Sequence, residues 1–190
     1  MSEIVKTSYF KEKGKNCTEE TLKLAKKRAE QLGIKNIVVA SYTGFTGVKA
    51  TEIFQNYNLV VVSGMMGFRE PNVDRMMPEN KKVMEDQGVT IIKTLHAFGT
   101  LGRAVRNKFS TIQVDELIAH TLRIFGQGVK VGCEIACMAA DAGAIRTDEE
   151  CISIGGSGGG ADTAIVLLPS NTHRFFDTKV KEIICKPRDP

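Results

Sequence analysis

Two stretches of this chain concentrate groups that can hold an anion. The first, Ser41-Tyr42-Thr43-Gly44-Phe45-Thr46-Gly47, directly follows the apolar run Ile37 to Ala40. The hydroxyls of Ser41, Thr43 and Thr46 can donate to phosphate oxygens, and Gly44 and Gly47 let the backbone turn sharply. Free amides at the start of a following helix would complete such a site. The structural alternative is a tight strand-to-helix connection in which Thr46 is an ordinary cap. No Gly-Lys-Ser or Gly-Lys-Thr triplet follows, so the loop is not a nucleotide-triphosphate P-loop. The second stretch is Gly155-Gly156-Ser157-Gly158-Gly159-Gly160-Ala161-Asp162. Successive amides from Gly156 through Ser157, Gly158, Gly159 and Gly160 can form a concave nest, with little side chain to obstruct a flat ligand. A flexible surface loop would tolerate the same composition. The run lacks the strict dinucleotide fingerprint and precedes no evident helix, so glycine content alone does not argue for NAD.

His96, in Thr94-Leu95-His96-Ala97-Phe98-Gly99, lies just past a strand end, where open α/β sheets bind ligands. Ligand contact, proton exchange and a structural hydrogen bond are all open to it. Cys133 and Cys137 share a face of a probable helix, and burial as small core residues is the simpler reading than metal or redox work. Glu134 and Asp141 lie about two turns apart on that helix and can fix ligand or backbone groups. No serine-hydrolase elbow, zinc motif or Ser-His-Asp order is visible, and the catalytic residues, if any, are unknown at this stage.

Alternating elements must position these groups. Asn16 with Glu19, or Thr18, reads as a helix cap, and Leu22, Ala25, Ala29 and Leu32 recur at helical spacing up to a C-cap at Gly33. Ile37 to Ala40, Leu59 to Val62 and Val89 to Ile92 read as buried strands, separated by helices around Val48 to Phe54 and Asn80 to Gln87. Two further helical patterns fall between Val105 and Gly143. Cys151 to Ile154 and Thr163 to Leu168 are separated by too few residues for a parallel crossover, so they should pair antiparallel. Ile4 to Phe10 and Val180 to Cys185 are additional strand candidates. No linker or repeat divides residues 1–190, which are read as a single domain.

The composition is that of a globular protein, with 42% hydrophobic and 25% charged residues. A formal charge of +4 permits anionic ligands. No basic motif accompanies it, which argues against nucleic acid. No apolar run is long enough for a membrane span and no secretory leader is apparent. Five cysteines without framework spacing fit a reducing compartment, so a cytoplasmic location is expected.

Three stretches are distinctive when taken together: Ile37-Val38-Val39-Ala40-Ser41-Tyr42-Thr43-Gly44, Met138-Ala139-Ala140-Asp141-Ala142-Gly143, and Ile154-Gly155 through Thr163-Ala164. In order and spacing the chain resembles a family of small stand-alone proteins related to the pyruvate kinase C-terminal domain. The resemblance implies a three-layer α/β/α sandwich whose mostly parallel sheet has strand order 3-2-1-4-5, with strand 5 antiparallel. Both glycine-bearing loops would then leave adjacent strands where the order reverses. By position, Ser41, Thr43, Gly44 and Thr46 resemble the phosphate grip of allosteric pyruvate kinases, and Gly156 to Gly160 the segment enclosing the sugar phosphate. The arginine and tryptophan features of that effector loop are missing here. Members of the stand-alone family look like flavin mononucleotide (FMN) binders, which implies FMN as cofactor and a flavin-dependent oxidoreductase as one activity. A non-enzymatic sensor of a phosphorylated metabolite is the alternative, and homo-oligomers are compatible with the class. Pyruvate kinase activity is not implied, because phosphoryl transfer needs a separate barrel domain.

Overall fold

The computed structural model describes residues 2–189. Seven strands form one mixed sheet: β1 (Ser8–Phe10), β2 (Asn36–Ala40), β3 (Asn58–Ser63), β4 (Thr90–Lys93), β5 (Cys151–Gly155), β6 (Thr163–Leu168) and β7 (Lys179–Pro187). Their order is β1-β7-β6-β5-β2-β3-β4. The segment β5-β2-β3-β4 is parallel throughout, whereas β6 is antiparallel to both β5 and β7. The short glycine connection between β5 and β6 dictates that reversal, since a parallel return would need a far longer crossover. β7 and β1 extend the sheet beyond β6, with β1 parallel to β7.

Six helices accompany this sheet in the described residues: α1 (Thr18–Leu32), α2 (Phe45–Ile53), α3 (Pro78–Asp86), α4 (Leu101–Phe109), α5 (Val114–Arg123) and α6 (Gln127–Asp141), with α4 lying against α5. The strands alternate their side chains between two cores. Ile37, Val39, Val61, Ile152 and Ile154 meet Leu22, Ala25 and Ala29 of α1, Ala50 of α2 and Met84 of α3. Val38, Val60, Ile165 and Leu167 point the other way, against Ala119 of α5 and Val129, Cys133 and Ala136 of α6. Because β2, β3 and β5 are covered on both faces, their sequences are continuous apolar runs rather than alternating ones.

Several local expectations are corrected. Asn16 does not cap α1; it lies in a 3-10 turn, Gly14–Cys17, and its side-chain amide donates to Glu12. Thr18 is the first residue of α1, and its hydroxyl oxygen instead accepts the Ala161 amide at 3.0 Å. A tertiary donor thus takes the acceptor that a local cap would have used. The strand read over Ile4 to Phe10 is confined to Ser8–Phe10. The interval read as two helical patterns contains three helices, because α4 has no buried residue and presents no core-facing stripe. Gly33 ends α1 in the left-handed conformation, as read from the sequence.

Candidate functional site

The first loop turns from β2 into α2. Ser41 is buried, and its hydroxyl oxygen accepts the Gly47 amide at 3.0 Å. That bond occupies the third amide of α2. Among the described residues, no acceptor faces the amides of Phe45 and Thr46, the first two of the helix. Thr46 is buried and Thr43 exposed, while the Thr43 carbonyl accepts from the Asn80 side chain and the Met77 amide. Gly44 precedes the helix at φ 92°, a conformation costly for other residues. The loop is therefore fastened by Ser41 and the Thr43 carbonyl, and its open donors are the helix-terminal amides.

The second loop is folded onto the start of α1 rather than left free. Asp162 is fully buried, and its carboxylate accepts the amides of Gly14 at 2.8 Å and Ser157 at 3.1 Å. Its second oxygen accepts the Thr163 hydroxyl at 2.9 Å. Gly156 and Gly160 approach other backbone too closely for a side chain. A Cβ on Gly156 would lie 2.5 Å from the Gly160 oxygen, and one on Gly160 would lie 2.6 Å from Lys15 Cα. Gly158 and Gly159 differ, because a Cβ there would meet nothing within 4 Å. The Ser157 hydroxyl is buried without a partner.

Lys15 links the two loops. Its backbone packs against Gly160, and its ammonium stands 4.5 Å from the centroid of the Phe45 ring. Lys49 approaches the same ring at 5.5 Å. Two cations thus stand over the ring of Phe45, the first residue of α2. In sequence Lys15 is one member of the basic cluster Lys11, Lys13 and Lys15, and only the tertiary fold distinguishes it. Asp162 likewise only ends the glycine motif in sequence, and the fold gives it its fastening role.

His96 occupies a different part of the same sheet end. Its ring stacks on Phe68 with centroids 4.8 Å apart, and Phe68 meets Tyr42 edge-on at 6.3 Å. One aromatic ring, Phe68, therefore stands between His96 and Tyr42 of the first loop. On its other side, Arg103 lies 4.8 Å from the Phe68 centroid. Burial holds the His96 imidazole below its ordinary pKa, with Glu134 opposing and Lys130 and Arg103 reinforcing the shift. Its Nε2 is buried and unpartnered. Glu134 accepts the Phe98 amide at 3.0 Å and pairs with Lys130, both residues being buried on α6. Burial lowers the Lys130 pKa, and Glu134 offsets that effect.

The remaining candidates are structural. Cys133 and Cys137 are buried on α6, and burial pushes their thiols up to about 12 and about 11. Such thiols are protonated near neutrality and poor nucleophiles. Asp141 accepts the Thr172 amide and hydroxyl and the Asn171 side chain, tying the end of α6 to the segment before β7. Arg69 lies 6.0 Å from the Tyr42 centroid. Among the described residues, no group of three or more His, Cys, Asp or Glu side chains converges as a metal site. No helix there is long and apolar enough to cross a membrane.

No family model matches the chain. A pyruvate kinase from Cryptosporidium parvum is similar over 72% of this chain and 20% of its own, at 12% identity and a TM-score of 0.38. This is a distant, partial likeness to a pyruvate-kinase-like fold. It assigns no residue a role.

Proposed function

We propose that the protein binds a phosphorylated small molecule between the Ser41–Thr46 loop and the glycine loop, with FMN the specific ligand. The observation that carries this reading is Lys15, whose backbone lies against the glycine loop and whose ammonium stands over the ring of Phe45, the residue that opens α2 with an unpartnered amide. A helix amino end joined to a cation favours a phosphate both by partial charge and by donor geometry. Ser41 would shape the loop, the Thr43 and Thr46 hydroxyls would add donors, and Gly44 would provide the turn. The open faces of Gly158 and Gly159 leave clearance for a flat ring. When bound, a flavin would supply electron transfer, and the chain's own residues would hold the phosphate and border the ring.

A non-enzymatic sensor is the second reading. It is favoured by His96, whose unpartnered nitrogen is buried and whose ring is stacked on Phe68. The two readings share the ligand site and differ in turnover.

The test is a titration of the purified protein with FMN, riboflavin and a sugar phosphate. FMN should bind at least tenfold more tightly than riboflavin, and Lys15→Ala should weaken FMN about tenfold while leaving the fold intact, since Lys15 is exposed. Equal affinity for FMN and riboflavin, or no binding of any phosphorylated ligand, refutes the phosphate site. FMN binding with substrate-dependent reoxidation selects the enzyme, whereas selective binding without turnover selects the sensor.

A further inference from the structure

A second cluster of cations lies away from both loops, between α4 and α5. Phe98, Arg103, Arg106, Glu116, Ala119, His120 and Arg123 line a cleft of about 150 Å³ there. Its lining holds three arginines and one glutamate, and the Asp115 carboxylate lies against Gly102 of α4. Arg106 Nε pairs with Glu116 Oε1 at 3.1 Å, and Arg123 donates to Gln127 at 2.7 Å. Two polar atoms at the cleft have no partner. Arg103 Nε is a buried donor without an acceptor, and Glu116 Oε2 is a buried acceptor without a donor. Glu116 itself is only 7% exposed. Unpaired buried donors and acceptors are costly, and more so when they belong to charged groups. A ligand that satisfies both would recover that cost.

The cleft's size and charge limit the ligand. It is smaller than the roughly 300–1,000 Å³ of sites for drug-sized molecules. An excess of arginine favours a tetrahedral oxyanion, which planar guanidinium forks grip through paired N–H donors. The lone acceptor on Glu116 adds a condition: the anion should carry a proton. We propose that this cleft binds a protonated oxyanion, inorganic hydrogen phosphate or the singly protonated terminal group of a small phosphate ester. Arg103, Arg106 and Arg123 take its oxygens, and Glu116 Oε2 accepts its P–OH proton. Sulfate, fully deprotonated near neutrality, would bring an oxygen toward that carboxylate and be repelled. Glu116 is thus a specificity residue and the arginines the affinity residues.

The site is independent of the FMN reading, and the two can be told apart by which nuclei respond. The experiment titrates the ¹⁵N-labelled full chain with inorganic phosphate, with glycerol phosphate and with sulfate at constant ionic strength. It follows the Nε–H resonances of Arg103, Arg106 and Arg123 alongside the amides of Phe45 and Thr46. Saturable shifts of the arginine resonances are expected with phosphate, at least tenfold weaker with sulfate. A tighter response to glycerol phosphate than to inorganic phosphate makes the ester the ligand, and the reverse makes it the free ion. Glu116→Gln should raise sulfate toward phosphate, because an amide can donate to the extra oxygen. The paired change Arg106→Gln with Arg123→Gln should abolish the response. Wild-type arginine resonances that stay still, or that respond equally to phosphate and sulfate, overturn the proposal. Shifts confined to Phe45 and Thr46 also overturn it while leaving the first site standing.

Discussion

Removing the Asp162 carboxylate should unfasten the glycine loop and destabilise the whole domain. In Asp162→Ala the amides of Gly14 and Ser157 lose their acceptor, while the Thr163 hydroxyl can rotate toward another. Two orphaned amides cost about 1–3 kcal/mol each. The carboxylate also lies beside the amino end of α6, since a Cβ on Gly128 would come 3.1 Å from Asp162 Oδ1. Losing a negative charge at a helix amino end costs about 0.3–1 kcal/mol more. The expected loss is therefore about 4 kcal/mol, or ~8–16 °C in Tm at 2–4 °C per kcal/mol for a chain of this size. Asp162→Asn provides the control. Its oxygen can still accept both amides while its NH₂ group faces the Thr163 hydroxyl, so it should cost about half as much. Urea denaturation gives the free energies, and hydrogen exchange at Gly14 and Ser157 reports the loop. Asp162→Ala within 1 kcal/mol of wild type, with unchanged exchange at those amides, would refute the fastening role.

Three further outcomes are expected. Gly160→Ala should destabilise more than Gly158→Ala, because both require a positive φ but only Gly160 also meets Lys15 and Thr18 at 2.6 and 2.4 Å; comparing their denaturation midpoints decides it. His96 should make the fold acid-sensitive. Its folded pKa lies below the unfolded value, so the unfolded chain takes up the proton first and stability falls as pH drops from about 7 through the ordinary value of 6.5. His96→Gln should flatten that part of the pH–stability curve, and an unchanged slope would contradict the buried, neutral imidazole. Leu101 and Phe109 of α4, Val114 of α5 and Ile124 just past its end are 79, 68, 70 and 72% exposed. Sedimentation should detect self-association that Leu101→Asp with Phe109→Asp abolishes, and a monomer at all concentrations would exclude it.

Legibility followed the range of the interactions. The apolar runs of β2, β3 and β5 and the spacing of Leu22, Ala25 and Ala29 report packing that every residue in the segment shares, so they could be read locally. The antiparallel turn into β6 was likewise forced by chain length. Contacts joining residues far apart in sequence were not legible. Thr18 has the composition of a local cap, yet the Ala161 amide occupies its hydroxyl oxygen. Lys15 and Asp162 acquire their significance only when β6 brings the glycine loop against the start of α1. Helix α4 was missed as a separate element for the opposite reason: it buries nothing, so its apolar stripe marks no core.

The glycine run shows how such long-range contacts change the functional argument. From sequence, five glycines in six positions are open to a ligand wall and to a flexible surface loop alike. In the fold, a Cβ on Gly155 would lie 2.9 Å from the Gly128 oxygen, and Gly156 and Gly160 are equally hemmed in by backbone. Those three are required by the chain's own packing, whether or not anything binds. Only Gly158 and Gly159 face open space, and their positive φ values of 142° and 122° already favour glycine. Glycine content therefore contributes little to the case for a ligand. The weight moves to what packing does not explain: a lysine held over Phe45 and the two amides beside it that have no acceptor. If FMN affinity proves insensitive to Lys15, the loop's composition alone is too weak to sustain the assignment.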